Sequence, residues 1–550
     1  MNSGKKAGSI KKTIINLAIT IIAGLIYFYI TLPAINLQDP AFYTFFLFMA
    51  VLFCVLSIVT QGLQKLQSGR DFLQSIKTHC LIPALLCLAL ALVYAVGYML
   101  SAPIFRAKDY QKLLTVEEGD FVQEINEISY DKIPMLDQDS AMRLATRKLG
   151  ELSDMVSQFE VAGDYTQINY NGRPVRVTPL EYGDVVKWFN NRNEGLPAYL
   201  IIDMVTQNVD VVRINELLPE EMGIKYTTAE HFGRYLYRYL RFNYPTFIFD
   251  AAMFEINEEG IPYWVCPRIV KRIGLFGGTD IEGAVLVNAV TGESEYLEDV
   301  PTWVDRCYTA NLIIQQYDYH GMYVNGFVNS ILGQRDVTVT TDGYNYIVSG
   351  DDVHMYTGIT SVGADESNVG FILTNQRTKE TKYYPVAGAE EYSAMASAQG
   401  IVQHLNYSAT FPLLLNISSQ PTYFLALKDS AGLVKQYAMV NVQQYQIVAN
   451  GETVAQCEIN YRRMLAQNNI GEEHAPIEAM SVEGVIEDLR SAVIDGNTHI
   501  YLKLKGGDFY YVMSAANVES AILLNPGDEV LIEWHNELGE LRTVVNIQKK

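Results

Sequence analysis

The segment Tyr199–Val212 reads YLIIDMVTQNVDVV and places two apolar, β-branched runs on either side of a polar turn. Runs of this kind, bounded by a turn, predict two antiparallel strands. The same order of residue types returns in Val285–Tyr296, VLVNAVTGESEY, where Asn288 takes the place of Asp203. Repetition of one strand-turn-strand unit therefore organises this part of the chain.

A helix is predicted ahead of each repeated strand pair. The segment Asp139–Gly150, DSAMRLATRKLG, carries its apolar residues at helical spacing, and TAEHFGRYLYRYL from Thr228 does the same. A third copy is predicted from a helix beginning at Ala389 and a hairpin, Phe424–Val434, that turns near Asp429. Helices followed by antiparallel strands indicate an α+β architecture.

A helix, an apolar strand, a short Asp-x-x-Thr-Gly-like turn and a returning strand together resemble the PepSY module of extracytoplasmic bacterial proteins. The matching stretches are Asp139–Gly150 with Tyr199–Val212, then Val285–Tyr296 and Phe424–Val434. The Thr-Gly pair of the turn is complete only at residues 291 and 292. The resemblance implies a binding or inhibitory module, in some relatives acting on peptidases, and no catalytic residues.

More strands are predicted outside these copies. VTVTTDGYNYIV predicts a hairpin turning at Asp342-Gly343, and GFILTNQRTKETKYYPV predicts a second one, both in sheet continuous with the modules. After the polar linker Gln467–Pro476, about five strands with a helix-like insert at Ala515–Leu523 resemble an OB-fold barrel.

The N-terminal region predicts a membrane anchor. Its three uncharged apolar runs are Thr13–Leu32, Ala41–Thr60 and Leu81–Leu100, each about the 20 residues that a helix needs to cross a bilayer. Residues 1–102 hold seven Lys and Arg but two acids, and the bases lie before the first run and between the second and third. The positive-inside rule then places the N-terminus in the cytoplasm and residues after about 102 outside the cell membrane.

We therefore expect a multi-pass, membrane-anchored α+β protein with repeated helix-plus-antiparallel-sheet modules and a small C-terminal OB-like β-barrel. The predicted units are the anchor 1–102, a first module 103–227, a second module 228–335, a strand-rich region with a third module 336–466, and the barrel 477–550.

Charge and motifs exclude several functions. The net charge of the chain is −21, and residues after 102 hold 34 bases against 60 acids, which disfavours binding of nucleic acid. The apolar runs contain no ionisable residue, which argues for an anchor rather than an ion path. The sequence has no CxxC, HExxH or GxSxG motif, so it predicts no metal, cofactor or catalytic residues. Cys266 and Cys307 either form a bridge or stay as buried thiols.

Three groups of residues are weighed as binding sites against ordinary structural roles. An aromatic-rich stretch that stacks on a sugar or peptide, or packs in the core, contains Trp264, Trp303, Tyr308, Tyr317 and Tyr319. A polar group that holds Ca²⁺, or is simply solvated, contains Asp351, Asp352, His354, Asp365 and Glu366. A glycine-rich segment near Lys271 that cradles phosphate, or forms a loop, contains Gly274, Gly277, Gly278 and Gly283.

The sequence thus favours a non-catalytic binding or regulatory protein of the bacterial cell envelope that acts on a membrane or envelope protein. Two alternatives stay open: an envelope hydrolase with a site assembled across modules, and an accessory subunit of a transporter or cell-wall machine.

Overall fold

The computed structural model describes residues 2–62, 69–127, 133–362, 367–468, 470, 480–494, 497–507, 509–514, 523–534 and 541–550. The helices are α1 Asn2–Thr31, α2 Pro40–Ser57, α3 Gly69–Ser101, α4 Pro103–Gln111, α5 Phe121–Glu124, α6 Gln138–Gly150, α7 Val185–Asn191, α8 Ile214–Leu217, α9 Leu236–Asn243, α10 Ala310–Met322, α11 Gly326–Val328, α12 Glu391–Ile401 and α13 Val454–Gln467.

The strands are β1 Val116–Glu118, β2 Phe159–Val161, β3 Thr166–Tyr170, β4 Arg173–Tyr182, β5 Ala198–Asp203, β6 Val209–Arg213, β7 Ile248–Phe249, β8 Met253–Ile256, β9 Pro262–Ile273, β10 Gly277–Asn288, β11 Ser294–Leu297, β12 Thr338–Thr340, β13 Asn345–Ser349, β14 Asp352–Ser361, β15 Ser367–Asn375, β16 Thr381–Tyr384, β17 Gly388–Ala389, β18 Ser408–Ala409, β19 Leu413–Ile417, β20 Gln420–Lys428, β21 Val434–Asn441, β22 Val448–Gly451, β23 Met480–Ile494, β24 Asn497–Leu504, β25 Tyr510–Ser514, β26 Glu529–Trp534 and β27 Leu541–Lys549.

Among the described residues, three helices are long and apolar enough to span a membrane, over Ile10–Thr31, Pro40–Thr60 and Lys77–Ser101. Their mean hydropathies are 2.1, 2.5 and 2.5, and few of their side chains are buried, as is expected of helices that face lipid. Asp39 caps α2 by accepting a hydrogen bond from the Ala41 N–H. The predicted multi-pass membrane anchor is confirmed as three candidate spans.

Four modules, each a helix followed by an antiparallel sheet, share one strand order. Each sheet begins with two short strands, which lie end to end along one edge of a long strand. The first short strand pairs with the end of the long strand and the second with its start. The next strand of the chain pairs with the other edge of the long strand. The four sheets are β2-β4-β5-β6 with β3 on β4, β7-β9-β10-β11 with β8 on β9, β12-β14-β15-β16 with β13 on β14, and β18-β20-β21-β22 with β19 on β20. We call the modules first (138–213), second (236–297), third (310–384) and fourth (391–451).

The last hairpin of each sheet is built around one Asp or Asn side chain. In the first three modules its Oδ1 accepts hydrogen bonds of 2.8–3.0 Å from the backbone N–H groups two and three residues later. The residue four positions later has a positive φ. The side chains are Asp203, Asn288 and Asn375, and in the fourth module Asn441 accepts from the Gln444 N–H. The modules therefore share an Asp or Asn side chain that stabilises this turn by accepting backbone hydrogen bonds.

Removing one of these side chains is expected to destabilise its module. Asn288→Ala leaves the buried N–H of Val290 and the N–H of Thr291 without their acceptor, so we expect the free energy of unfolding to fall by about 1–3 kcal/mol. Denaturant unfolding of the full chain in detergent measures it. The control is Glu293→Ala in the same turn, whose side chain is exposed; an equal effect of the two changes would contradict the assignment.

Three local expectations were wrong. The helix predicted from Thr228 begins at Leu236, because Phe232 takes a positive φ that ends the helical path before it. Asp342-Gly343 is not a hairpin turn, because β12 and β13 lie end to end along β14 rather than against each other. The hairpin predicted at Phe424–Val434 is present between β20 and β21, but its match to the other copies was wrong, because the corresponding hairpin of this module joins β21 to β22.

The strands expected to extend neighbouring modules instead form the third module, led by α10. Its sheet gains β1, which pairs in parallel with β16, and β17, which pairs with β15. The second expected hairpin is present as β15 and β16. The sheet needs its own helix because both its faces carry buried side chains, such as Tyr356 and Ile372, that strands alone leave open to water.

The modules are paired through shared cores. One buried cluster contains side chains of the first and second modules, among them Ile202 and Val285, and another joins the third and fourth, among them Phe371 and Leu425. The C-terminal strands close into a separate barrel in the order β23-β24-β25-β27-β26, with β25 and β27 parallel. Most of the insert predicted at 515–523, and most of the linker 467–476, lie outside the described residues.

The body is seated directly on the anchor. Ser101 Oγ, at the end of α3, accepts hydrogen bonds of 3.0 Å from the N–H groups of Leu275 and Phe276 in the β9–β10 turn. Gly274 and Gly278 of the glycine-rich segment have positive φ in this turn. The glycines thus belong to a tight connection that approaches α3 closely. Of the two roles weighed for them, a phosphate cradle and a loop, they have the loop role.

Candidate functional site

A cavity of about 400 Å³ lies where the first, third and fourth modules meet. Its polar walls carry two arginines and three tyrosines, and its apolar walls come mainly from the fourth module and from the segment before α6. The polar lining is Asp137, Gln138, Tyr165, Arg176, Arg306, Tyr344, Asn345, Tyr346 and Thr410. Its size suits a side chain or a short chain end rather than a large cofactor.

Arg176 is the most unusual residue of the cavity. It stands in the middle of β4 between two buried valines, and its side chain is 7% exposed. One Nη donates to Gln167 Oε1 over 3.3 Å, whereas the buried Nε has no hydrogen-bond partner among the described residues. Burial, followed by repulsion from Arg306, lowers the pKa of Arg176 to about 10. A buried guanidinium without a carboxylate is costly unless a ligand completes it.

Arg306 supplies a second cation to the same wall. Its guanidinium lies 4.3 Å from the centre of the Tyr346 ring and donates to the Tyr346 hydroxyl. Its Nε is also buried without a partner among the described residues, as is the hydroxyl of Tyr165. Burial raises the pKa of Tyr165, which keeps that hydroxyl protonated and able to donate. Three donors without partners among the described residues are therefore buried in the wall of the cavity.

One acidic side chain borders the cavity, but it is already paired. Asp137 caps α6 by accepting from the Ser140 N–H over 2.9 Å, and its other oxygen accepts from Lys428 of the fourth module. Burial opposes ionisation of Asp137, yet the hydrogen bonds from Lys428 and Ser140 outweigh it and lower its pKa. This pair joins two modules at the mouth; among the described residues Asp137 forms no ion pair with either arginine, although its charge partly offsets the effect of burial on the pKa of Arg176.

A buried carboxyl pair lies behind Arg306. Both oxygens of Glu255 accept backbone N–H groups, from Asp305 over 2.9 Å and from Arg306 over 3.0 Å. Asp305 Oδ2 accepts from the Asn169 N–H over 2.6 Å, and its Oδ1 has no partner among the described residues. Burial raises the pKa of Glu255 to about 8 in spite of the two N–H groups that it accepts, and Asp305 is the member of the pair that keeps its proton to the higher pH.

The Asp305 proton makes stability depend on pH. Burial, then the Glu255 charge, raises its pKa to about 9 from an ordinary 3.8. Between these values only the folded chain holds the proton, so this group's contribution to the free energy of unfolding falls as pH rises, by up to about 1.4 kcal/mol per unit. We expect Asp305→Asn to reduce that slope between pH 5 and 9 in thermal unfolding of the full chain, and the part that Glu255 contributes to remain. Asp351→Asn, an exposed neighbour, is the control; parallel curves for wild type and Asp305→Asn would contradict the assignment.

The five aromatic residues weighed as a binding surface do not share one face. Trp264 is fully buried in the core of the first and second modules, where its indole N–H donates to the Tyr226 carbonyl. Tyr317 is buried in the core of the third module. Among the half-buried members, Trp303 and Tyr308 pack against one core cluster, Trp303 on Tyr263 and Tyr308 below Lys379, whereas Tyr319 packs on Tyr110. Packing explains these rings, because each contacts its own module or the linker beside it.

Of the other weighed residues, Asp351 and Asp352 have structural partners, whereas the buried Nδ1 of His354 has no hydrogen-bond partner among the described residues. Asp352 accepts from Arg377 Nε over 2.7 Å, and Asp351 accepts from Asn169. Asp365 and Glu366 lie outside the described residues. Cys266 and Cys307 are buried free thiols in two different core clusters. The site that the fold assembles is the arginine-lined cavity, which the sequence did not predict.

No family model and no curated protein matches the chain. Among solved structures, the chain is similar to Bacillus subtilis levansucrase at 9% identity, over 77% of this chain and 97% of that one, with a TM-score of 0.15. A levansucrase mutant of B. megaterium gives 9% identity, 78% and 96% coverage, and a TM-score of 0.17. Scores this low carry no inference about fold or function.

Proposed function

We propose that this chain is a non-catalytic binding or regulatory protein of the bacterial cell envelope, held by three membrane helices, whose PepSY-like modules act on a protein partner. The observation that carries the proposal is Arg176, which is buried in a cavity between modules and whose guanidinium is paired with no carboxylate among the described residues. The partner inserts an acidic group there, a side-chain or C-terminal carboxylate, and pairs with Arg176 and Arg306.

Carboxylate fits the donors of the cavity. A guanidinium presents its N–H groups in a planar fork that matches two carboxylate oxygens, and a tyrosine hydroxyl adds a third donor. Arg176 Nε, Arg306 Nε and the Tyr165 hydroxyl are the donors without partners among the described residues. The apolar wall around Phe411, Leu413 and Phe424 suits the aliphatic part of a peptide rather than a bare inorganic anion.

Orientation follows from charge and from the seating of the body. The Ile35 N–H, in the α1–α2 loop, donates to the Pro245 carbonyl, and Ser101 at the end of α3 holds the β9–β10 turn. Loop and body thus belong to one side of the three spans, opposite the lysine-rich N-terminus. With the positive-inside rule, this supports a cytoplasmic N-terminus and an extracytoplasmic body.

The repeated units support a PepSY-like assignment. Each has a helix, antiparallel strands and an Asx turn, and the Asx side chain is followed three residues later by Thr206, Thr291 or Thr378 in three of the four. The C-terminal unit supports an OB-fold, since a five-stranded barrel with that strand order and a parallel β25–β27 pair has the features expected of one.

A thermal-shift titration of the full chain in nanodiscs tests the proposed ligand chemistry. The probes are one N-acetylated acidic tripeptide and the same peptide with every carboxylate converted to carboxamide. We expect the acidic peptide alone to raise the unfolding temperature, since a ligand that binds the folded state stabilises it. Equal shifts from both peptides, or none at millimolar concentration, would contradict carboxylate binding in the cavity.

A further inference from the structure

An exposed apolar patch lies beside the end of the third membrane helix. Its members are large apolar side chains of α4 and of the segment that follows α10, and Leu332 is 81% exposed and Phe105 67%. The patch consists of Ile104, Phe105, Val328, Ile331 and Leu332. The water-exposed surface of a protein rarely has so many large apolar side chains together at this degree of exposure, so we expect lipid or protein to cover the patch.

The segment is held in place rather than collapsed onto the body. Asn329 Nδ2 donates to the Arg335 carbonyl over 2.9 Å, and its Oδ1 accepts the Arg335 N–H over 3.2 Å. Gly326 and Gln334 both take positive φ, which bends the chain at each end of the segment. These contacts fix a short helical turn that projects Val328, Ile331 and Leu332 outward.

The patch adjoins the membrane by chain connection and by packing. α4 begins at Pro103, two residues after α3 ends, so Ile104 and Phe105 stand within about one helical turn of the span. α11 contacts α4 directly, and Phe327 packs on the small cluster formed by Ala107, Tyr110 and Tyr323. The apolar surface of the span therefore continues onto the patch.

Basic residues surround the patch in an otherwise acidic body. Arg106, Lys108, Lys112 and Arg335 lie on the same two segments, against Asp109 and Asp336. These two acids pair with Arg106 and Arg335, so the local balance is positive although residues after 102 are strongly acidic in total. Apolar side chains bordered by Lys and Arg are typical of segments that lie in the membrane interface.

We propose that this patch inserts into the boundary between headgroups and acyl chains of the same bilayer that holds α3. Lipid is the occupant that the continuity with α3 favours, and the basic border faces lipid phosphates. The insertion gives the body a second attachment beside its helices, which fixes its height and tilt above the membrane. This inference is independent of what the cavity binds.

Fluorescence of an NBD label at Leu332→Cys tests the insertion. The full chain is placed in nanodiscs of phosphatidylcholine and phosphatidylglycerol, with and without nitroxide-labelled lipid, and wild type treated with the same reagent supplies the background of its six native cysteines. We expect blue-shifted emission and roughly twofold or greater quenching by nitroxide lipid, because an interfacial group sits about 5–10 Å deep. The matched control is Val493→Cys, 71% exposed on the barrel, which should show neither effect.

Two results would overturn the proposal. Red-shifted, unquenched emission at position 332, equal to that at 493, would show that the patch faces water. Blue-shifted emission without quenching by nitroxide lipid would show that protein, either a second copy or another chain, covers the patch instead of lipid.

Discussion

Replacing Arg176 with methionine is expected to abolish binding of an acidic group while leaving the stability of the unliganded protein nearly unchanged. Losing one partner of a buried ion pair costs about 2–5 kcal/mol in binding, which is about thirtyfold or more in affinity. In the unliganded chain, removing a buried guanidinium that is paired with no carboxylate relieves the cost of burying its charge, whereas leaving Gln167 Oε1 without its donor costs about 1–3 kcal/mol. The two stability changes largely cancel.

The measurement combines denaturant unfolding with titration of the acidic tripeptide, both on the full chain. Arg173→Met is the matched control, since Arg173 lies on the same strand with its side chain 60% exposed and pairs with Asp203. We expect the control to bind the peptide as wild type does. A loss of several kcal/mol in stability at Arg176→Met, with peptide binding intact, would mean that Arg176 only holds the modules together.

Replacing Glu255 with alanine is expected to cause the largest loss of stability among these variants. Glu255 is fully buried on β8 and accepts the N–H groups of Asp305 and Arg306, so its removal leaves two buried donors without acceptors. Each orphaned donor costs about 1–3 kcal/mol, so for the two donors we expect the free energy of unfolding to fall by about 2–6 kcal/mol. Arg306 also loses the anchor that directs it towards the cavity.

Denaturant unfolding at pH 7 measures this loss, with Glu258→Ala as the control. Glu258 is exposed in the hairpin after β8, so its removal is expected to cost less than about 0.5 kcal/mol. The peptide titration then reports the second effect, a weaker affinity in whatever fraction stays folded. A Glu255→Ala variant as stable as the control would contradict the hydrogen bonds assigned to this carboxylate.

The anchor and two modules could be predicted from the sequence because the patterns that indicate them lie within short segments of the chain. Twenty-residue apolar runs and the shared pattern around Asp203 and Asn288 need no tertiary information. The third module was not predicted because Gln376 and Arg377 replace the apolar residues of that pattern. The turn itself depends only on Asn375 and backbone N–H groups. In the fourth, Asn441 keeps the capping role without the threonine.

The cavity was beyond the sequence because its donors are far apart along the chain. Arg176 and Tyr165 come from the first module, and Arg306 from the linker between the second and third. The one local signal was Arg176 itself, a charge between Val175 and Val177 in a strand whose other central residues are apolar or uncharged. The aromatic stretch around Trp264 drew attention by composition, but rings pack in cores as readily as they bind ligands.

In-cell photo-crosslinking from the cavity tests the central claim most directly. In one strain a photoreactive amino acid replaces Gln138, an exposed residue on the cavity wall. In a second strain it replaces Glu258, which lies outside the cavity. The account predicts one envelope protein captured from position 138 alone, lost with Arg176→Met and kept with Arg173→Met. The same proteins captured from both positions, or capture that is unchanged by Arg176→Met, would contradict it.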